Sequence, residues 1–318
     1  MKRVLVTGAL GQIGSELVPA LIERYGGDIV VASDCKPLDG NSFTKGGRFE
    51  LIDCTDAQAV AGIIKKYEIG TIYHLAAILS ARAETKPQEA WRVNIGGLYN
   101  ILEAAREFGC SVFVPSSIAA FGPGTPRNNT PQDTMQRPTS MYGVTKVSGE
   151  LLCDYYYHRF GVDTRGVRYP GIISHKTLPG GGTTDWAVEI FYEAVRKKRY
   201  ACFLKKGTYL DMMYMPDAVN AAIMLMEADG NKLKHRNAFN ITAMSFDPEE
   251  LADEIKKIIP EFEISYEIDP LRQAIADSWP SNMDDSAARE EWDWQPRYAI
   301  ETMVADMIQK LSAKLSAK

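Results

Sequence analysis

The stretch that decides the fold is Arg3-Val4-Leu5-Val6-Thr7-Gly8-Ala9-Leu10-Gly11-Gln12-Ile13-Gly14, which leads into a helical pattern. The apolar run at its start predicts a buried strand, and the closely spaced glycines predict a tight turn before the helix. At such a turn, backbone amides at the positive end of the helix can approach a pyrophosphate; a glycine-containing turn without a ligand is the alternative. The residues that we expect to contact the phosphates are Gly8, Gly11, Gln12, Ile13 and Gly14.

Two acidic residues favour the ligand-binding interpretation of this turn. Asp34 closes the second predicted strand 20 residues after Gly14, where a carboxylate can bind both hydroxyls of a ribose. A carboxylate there repels a 2′-phosphate, so we expect NAD rather than NADP as the cofactor. Asp53 ends the third predicted strand, where it can bind the adenine amino group; capping of the helix that begins near Asp56 is the alternative.

Short β-rich runs alternate with helical patterns through the first half of the chain. The runs show little polar alternation, which is typical of parallel strands that are covered on both faces. The predicted strands are Arg3–Thr7, Asp28–Ser33, Arg48–Ile52, Thr71–Leu75, Ser111–Pro115 and Asp163–Arg168. The predicted helices are Gln12–Tyr25, Ala57–Tyr67, Pro87–Phe108 and Met141–Phe160. This alternation predicts an α/β fold with a doubly wound parallel sheet of the Rossmann type.

The regular alternation of predicted strands and helices ends after Gly171, which predicts a second, smaller α+β domain. We expect residues 1–170, with roughly 207–245, to form the NAD-binding Rossmann domain, and residues 171–206 and 246–318 to form a discontinuous substrate-binding cap. The second half contains predicted strands at Tyr200–Leu204, Thr208–Tyr214 and Glu263–Ile268, and predicted helices at Asp185–Lys198, Pro216–Ala228, Pro248–Ile259 and Ile300–Leu311. We expect Asn237–Thr242 to return as a strand of the main sheet, and the tandem repeat of residues 311–318 to be a frayed tail.

Composition and charge argue against several classes of function. The chain has 318 residues, a formal net charge of -5 and a pI near 5.6, so it has no surplus of cations to neutralise the phosphates of a nucleic acid. Its apolar runs are far shorter than the roughly 20 residues of a membrane helix. The five cysteines are widely spaced without a CxxC pair, which is typical of reduced thiols in a cytoplasmic protein. The histidines and cysteines lack metal-ligand spacing, so we expect no metal site.

Tyr142 and Lys146 stand four residues apart in a predicted helix, and hence on one of its faces. An unperturbed tyrosine has a pKa near 10, so a base at neutral pH needs about 4 kcal/mol of preferential stabilisation of its phenolate. The Lys146 ammonium and a positive nicotinamide ring can supply that stabilisation in a site shielded from water. A chance pair on an amphipathic helix is the alternative. Ser116-Ser117 favours the catalytic interpretation, because it ends the fifth predicted strand, where α/β sheets bind ligands.

The order and spacing of these motifs resemble those of the extended short-chain dehydrogenases/reductases, a family that includes nucleotide-sugar epimerases. The resemblance runs from the three glycines through His74-Leu75-Ala76-Ala77 to Trp292-Asp293-Trp294-Gln295-Pro296. It implies that Tyr142 is the catalytic base, that Lys146 assists it and that Ser117 binds the reacting oxygen. It also implies cofactor contacts from Leu75, Ala76, Ala77, Asn94, Tyr142, Lys146, Tyr169, Pro170 and Ile172.

Across almost the whole chain, the sequence is also similar to the short-chain family of L-threonine 3-dehydrogenases. The stretches that carry this similarity include Leu79-Ser80-Ala81, Ser140-Met141-Tyr142-Gly143, residues 168–174, residues 179–185 and Asp277-Ser278-Trp279-Pro280. The resemblance implies oxidation of the C3 hydroxyl of L-threonine to 2-amino-3-oxobutanoate, with hydride transfer to NAD and no zinc. The residues implied for the substrate pocket are Ser80, Ser117, Tyr142, Gly182, Thr183, Thr184 and Trp279, with Asp185 as a further candidate. Helix capping by the threonines, an ordinary loop serine and a core tryptophan are the alternatives.

Two other functions remain open at this point. An epimerase or reductase that acts on a nucleotide sugar is the runner-up, although Ile118-Ala119-Ala120 replaces the acidic pair of dehydratases and Tyr169-Pro170 replaces the usual asparagine of epimerases. A non-catalytic NAD-sensing protein is the alternative from a different class, and the intact Tyr142/Lys146 pair argues against it. The family resemblance further implies a homodimer, formed through the helices predicted at Pro87–Phe108 and Met141–Phe160.

Overall fold

The computed structural model describes residues 2–38, 46–177, 180 and 182–316 of the chain. Its strands are β1 (Arg3–Thr7), β2 (Val30–Asp34), β3 (Arg48–Leu51), β4 (Ile69–His74), β5 (Ser111–Phe113), β6 (Ser116–Ser117), β7 (Thr164–Arg165), β8 (Val167–Tyr169), β9 (Gly171–Ile173), β10 (Arg199–Cys202), β11 (Leu210–Tyr214), β12 (Phe239–Asn240), β13 (Met244–Phe246) and β14 (Glu263–Tyr266). Its α-helices are α1 (Gly14–Tyr25), α2 (Ala57–Tyr67), α3 (Ser80–Thr85), α4 (Pro87–Trp91), α5 (Leu98–Phe108), α6 (Met141–Phe160), α7 (Trp186–Lys197), α8 (Met215–Glu227), α9 (Pro248–Lys256), α10 (Pro270–Asp277), α11 (Ser286–Trp292) and α12 (Ile300–Ser316). Four residues used in the sequence analysis lie outside the described residues. They are Pro179 and Gly181, in a stretch that is similar to threonine dehydrogenases, and Ala317 and Lys318 of the terminal repeat.

Six parallel strands form the main sheet in the order β3-β2-β1-β4-β5-β7. Val4 and Val6 of the central strand β1 pack with α1 and α8 on one face, whereas Leu5 packs with α2 and α5 on the other. Burial on both faces explains why the predicted strands lack polar alternation. The strand order reverses between β1 and β4, which is the point where open α/β sheets bind ligands. The predicted doubly wound parallel sheet is confirmed.

The sixth predicted strand, Asp163–Arg168, is interrupted at Gly166 in the structure. Gly166 accepts a hydrogen bond from the Phe239 amide (2.9 Å), and a Cβ at this position would lie 2.4 Å from the Val114 carbonyl oxygen. The chain therefore leaves the main sheet after β7, and β8 belongs to a second parallel sheet of order β12-β8-β6. The prediction that Asn237–Thr242 returns to the main sheet is wrong, because β12 pairs with β8 in this smaller sheet.

The predicted helix Pro87–Phe108 consists of three consecutive helical segments. Between α4 and α5 lies a π-helical turn, Arg92–Gly97. Such turns are rare and occur mostly at functional sites. This one carries Asn94 into the interior, where the residue is only 8% exposed.

A further core around Trp186 and Phe246 comes mainly from the second half of the chain, with Ile118, Ala119 and Phe121 from the first half. Helices α7, α9 and α12 contribute to it, together with the sheets of order β10-β14 and β13-β11-β9. Helix α12 continues to Ser316, and Leu311 is fully buried. The prediction of a frayed tail is therefore wrong as far as Ser316, since these residues continue the helix and Leu311 packs in the core around Trp186.

The described residues contain no helix that is both long and apolar enough to cross a lipid bilayer. The same residues contain no group of three or more side chains that could hold a metal ion. All five cysteines are free thiols, and only Cys35 is exposed.

Candidate active site

The glycine turn between β1 and α1 forms a cradle without room for side chains. A Cβ at Gly8 would lie 2.7 Å from the Ala76 amide nitrogen, and a Cβ at Gly14 would lie 2.4 Å from the Gly8 carbonyl oxygen. Gly8 also has a φ of +69°, which favours glycine. Because the positive end of α1 adjoins this cradle, it fits the pyrophosphate of a dinucleotide.

Asp34 lies beside the glycine turn, as predicted. Its carboxylate oxygens accept hydrogen bonds from the backbone amides of Leu10 (3.0 Å) and Lys36 (3.1 Å). A carboxylate has about four acceptor positions, so Asp34 can stabilise the turn and still bind ribose hydroxyls.

Asp53 is exposed at the end of β3, and its Oδ1 accepts the amide (2.9 Å) and hydroxyl (2.8 Å) of Thr55. These bonds, the backbone one foremost, lower the pKa of Asp53. The cap of α2 is Asp56, which accepts the amides of Gln58 and Ala59, both at 3.0 Å. Capping is thus the role of Asp56 and not of Asp53, whose contact with adenine stays a prediction.

Asn94 connects the segment after β4 with α6. Its Oδ1 accepts the Ile78 amide (2.8 Å), and its Nδ2 donates to the Ile78 carbonyl oxygen and to the Thr145 hydroxyl, both at 3.1 Å. The residue lies at a small cavity of about 30 Å³ behind Lys146, together with Leu75, Ala76 and Ala77. Asn94 therefore holds the backbone beside Lys146, and the larger cavity described next does not include it.

A cavity of about 150 Å³ opens beyond the carboxyl ends of the strands. Residues from motifs that are far apart in the sequence meet in this cavity. The predicted residues that line it are Gln12, Ile13, Leu75, Ala77, Ser80, Ser117, Tyr142, Lys146, Tyr169, Pro170, Ile172, Gly182, Thr184 and Trp279. A cavity of this volume has room for several water-sized groups and so for a small polar molecule.

The phenol of Tyr142 and the hydroxyl of Ser117 both line this cavity, and Ser117 acts to lower the pKa of the phenol. Lys146 follows one helical turn later, and its Nζ lies 5.3 Å from the centre of the Tyr142 ring. The same ammonium donates to the Pro115 carbonyl oxygen (2.7 Å), which fixes its position. Ser140 caps the start of α6 with its hydroxyl and thereby sets the first turn, from which Tyr142 projects.

Ser116 and Ser117 have different partners, as expected for neighbours on a strand. Ser116 donates to the buried carboxylate of Glu150, which also forms an ion pair with Arg168 (2.9 Å). The Ser117 hydroxyl instead accepts a hydrogen bond from the Ala119 amide (3.2 Å) and acts to lower the pKa of Tyr142. Of the two serines, only Ser117 therefore affects the predicted base.

Burial governs the acid–base properties of the two predicted catalytic groups. It raises the pKa of Tyr142 to about 12, while the hydrogen bond with Ser117 acts in the opposite direction. It lowers the pKa of Lys146 to about 8, against the opposing effect of the Glu150 carboxylate. The groups of the protein therefore keep Tyr142 protonated, and its pKa is raised instead of showing the lowering that was expected from Lys146.

Gly182 and Thr184 reach the cavity just before α7. The Gly182 amide donates to the carboxylate of Asp185 (2.6 Å), and Asp185 is the N-cap residue of α7. Capping by the threonine side chains is thus not their role. Thr183 is only 3% exposed and is not among the residues that line the cavity, so its contact with the substrate stays a prediction. The chain turns there, and neighbouring side chains point in different directions.

The motifs do not identify two apolar residues of the cavity wall, Leu79 and Ile118. Each directly adjoins a predicted polar residue, Ser80 or Ser117, but an apolar residue in a loop has no pattern that marks it as a wall. Trp279 lines the cavity and is 5% exposed, so it is at once a pocket residue and a core residue.

Residues 4–242 match the NAD dependent epimerase/dehydratase family. Among curated proteins, an uncharacterised epimerase/dehydratase of Staphylococcus haemolyticus is 53% identical over 314 residues, which is 99% of each chain. Among solved structures, the L-threonine dehydrogenase of Clostridium difficile is 58% identical with a TM-score of 0.97, over 99% of this chain and 98% of that one. The holo form of a GalE-like L-threonine dehydrogenase from Cupriavidus necator is 50% identical with a TM-score of 0.94, over 97% of this chain and 99% of that one.

These similarities extend over nearly the full length of the chain and include every element that forms the cavity. They confirm the resemblance to extended short-chain dehydrogenases/reductases and to the short-chain threonine dehydrogenases. The cofactor is NAD, in agreement with the cradle at Gly8 and Gly14 and the carboxylate of Asp34. The chain belongs to the NAD dependent epimerase/dehydratase family.

Proposed function

We propose that the protein oxidises the C3 hydroxyl of L-threonine to 2-amino-3-oxobutanoate. The observation that carries this proposal is that Tyr142, Ser117 and Lys146 line one cavity beyond the carboxyl ends of the strands. The similarity to solved L-threonine dehydrogenases along the whole chain supports the choice of substrate. Bound NAD supplies a nicotinamide ring that accepts the hydride from C3.

Tyr142 acts as the base that takes the proton of the substrate hydroxyl. Because burial raises its pKa to about 12, its phenolate needs nearby positive charge, which is most effective in a site shielded from water. Lys146 supplies part of that charge from the same face of α6, where the Pro115 carbonyl holds its ammonium. Ser117 donates a hydrogen bond to the reacting oxygen and orients it toward Tyr142.

The polar groups of the amino acid bind at the opposite wall of the cavity. Thr184 offers a hydroxyl close to the positive end of α7, which favours a carboxylate, and Gly182 lines the same wall without a side chain. Ser80 offers a further hydroxyl, and Asp185 is the candidate partner of the substrate ammonium group. Trp279 packs over the substrate and excludes water.

A nucleotide-sugar epimerase or reductase is the second candidate, because the curated relatives carry the name epimerase/dehydratase. The similarity to solved L-threonine dehydrogenases, at 58% and 50% identity, favours an amino acid over a nucleotide sugar. Ile118 also lies next to Ser117, where a dehydratase needs an acid to donate a proton.

The test is NADH formation, followed by absorbance, when the protein is mixed with NAD and L-threonine. We expect Tyr142→Phe to lower kcat by about 10²- to 10⁴-fold, the usual contribution of a general base, with an unchanged Kd for NAD. Tyr157→Phe, on the same helix and outside the cavity, is the control. Substantial turnover by Tyr142→Phe contradicts the assigned base. A wild-type protein that ignores L-threonine and epimerises a UDP-sugar contradicts the substrate.

We also propose a Rossmann domain of residues 1–170 and roughly 207–245, with a cap of residues 171–206 and 246–318. The core that α7, α9 and α12 build around Trp186 supports this division. With this division, the cavity residues Tyr142 and Ser117 come from the Rossmann domain, and Thr184 and Trp279 come from the cap.

A further inference from the structure

The segment Ser174–Thr177 joins two parts of the cavity wall. Gly171 and Ile172 line the cavity just before it, and the chain returns to the cavity at Gly182 and Thr184. The residues proposed to bind the substrate carboxylate thus stand between this segment and helix α7, which carries Tyr192.

Helix α12 of the cap holds this segment through Lys314. The Lys314 ammonium donates to the carbonyl oxygens of His175 (3.0 Å) and Lys176 (2.8 Å). It also lies 3.3 Å from the hydroxyl of Tyr192, which itself donates to the His175 carbonyl (2.9 Å). Hydrogen bonds from a charged donor are stronger than neutral ones, so one side chain holds two consecutive peptide groups.

Helix α1 holds the same segment from the cofactor side. The Ser174 hydroxyl donates to Glu16 (2.5 Å), and the Lys176 ammonium lies 3.6 Å from the same carboxylate. The hydroxyls of Ser15 and Thr177 are 3.1 Å apart. Because α1 begins at the glycine turn, the segment is attached both to the helix that receives the cofactor and to the last helix of the cap.

We propose that Lys314 is a positioning residue for the amino-acid substrate, which holds the Gly182–Thr184 stretch in place by binding the His175 and Lys176 carbonyls. The proposal rests on the proposed function and assigns a role to the terminal repeat. Lys314 does not line the cavity, so it acts through the segment. Tyr142 and the glycines of the cofactor cradle do not contact Lys314, and the contacts of the segment with α1 do not involve Lys314, so we expect both to keep their places when Lys314 is replaced.

The test compares the Michaelis constants of Lys314→Met with those of the wild-type protein. We expect the KM for L-threonine to rise by roughly tenfold, the equivalent of one lost charge-assisted hydrogen bond, with unchanged kcat and unchanged KM for NAD. Lys314→Arg should restore much of the loss, because a guanidinium can donate to both carbonyls. The control is Lys256→Met, which removes a cap lysine whose ammonium contacts Asp253 of its own helix (2.9 Å).

An unchanged KM for L-threonine in Lys314→Met overturns the proposal. A parallel rise in both Michaelis constants with a lowered Tm also overturns it, because that result indicates general destabilisation of the cap. Hydrogen–deuterium exchange of peptides that cover residues 174–177 needs no turnover. Faster exchange in Lys314→Met, but not in Lys256→Met, supports the binding of the His175 and Lys176 carbonyls by Lys314, even if the wild-type protein does not oxidise L-threonine. Equal exchange in the two variants contradicts that role of Lys314 and leaves the proposed function standing.

Discussion

Tyr142 is harder to ionise in its cavity than in water, since burial raises its pKa to about 12. The base acts as phenolate, so the reactive fraction grows as the pH rises and is lost as the pH falls below the pKa of the phenol in the complex. We therefore expect kcat/KM for L-threonine to increase from neutral to alkaline pH. Ser117→Ala removes the hydrogen bond that lowers the pKa, so its profile should move to higher pH. Rate profiles over pH measure both effects, and a rate that decreases as the solution becomes alkaline contradicts the role of Tyr142.

The motifs predict some properties of single residues and not others. The spacing of Tyr142 and Lys146 predicts their common face, because helical geometry follows from local sequence. By contrast, the turn of the chain before α7 determines that Thr184, and not Thr183, lines the cavity. The burial that raises the pKa of Tyr142 depends on residues of the second half of the chain that pack against it. Both properties come from neighbours that are distant in sequence.

The π-helical turn between α4 and α5 is the element whose effect on stability is easiest to measure. We expect Asn94→Ala to lower the free energy of unfolding by about 2 kcal/mol, because the buried amide and carbonyl of Ile78 lose their partner. Asn100→Ala, on α5, is the control: its side chain donates one hydrogen bond, to the Cys54 carbonyl (3.0 Å), and a smaller loss is expected. Urea denaturation gives both values. Equal losses contradict a special role for the π-helical turn.

Most helices and strands were predictable from hydrophobic periodicity, since burial on one or both faces imposes that periodicity. Helices α2 and α6 begin and end at the predicted residues. Two failures have a common cause: the interruption at Gly166 and the pairing of β12 with β8 are both determined by contacts between distant strands. The π-helical turn was not predictable either, because a helix with one additional residue per turn keeps an apolar face.

The faces of α5 and α6 carry an exposed aromatic and aliphatic patch, formed by Tyr99 (49% exposed), Leu151 (62%) and Tyr155 (54%). Patches of this kind mark protein interfaces, and the family resemblance implies a homodimer through these helices. We expect Leu151→Glu to convert a dimer into monomers in sedimentation velocity. Leu271→Glu, which changes an equally exposed leucine (62%) on α10 of the cap, should leave the dimer intact. A wild-type protein that sediments as a monomer contradicts the prediction.

By itself, the amino-acid sequence determined the doubly wound sheet, the glycine turn with its acidic partner Asp34 and the pair Tyr142 and Lys146. All of these depend on spacing within short stretches, where backbone geometry is local. Only the tertiary structure decided which side chains share the cavity, how strongly burial shifts the pKa of the phenol, and that Lys314 reaches the loop before the substrate-binding stretch. These properties require residues from both halves of the chain to meet, and that meeting depends on packing rather than on sequence spacing.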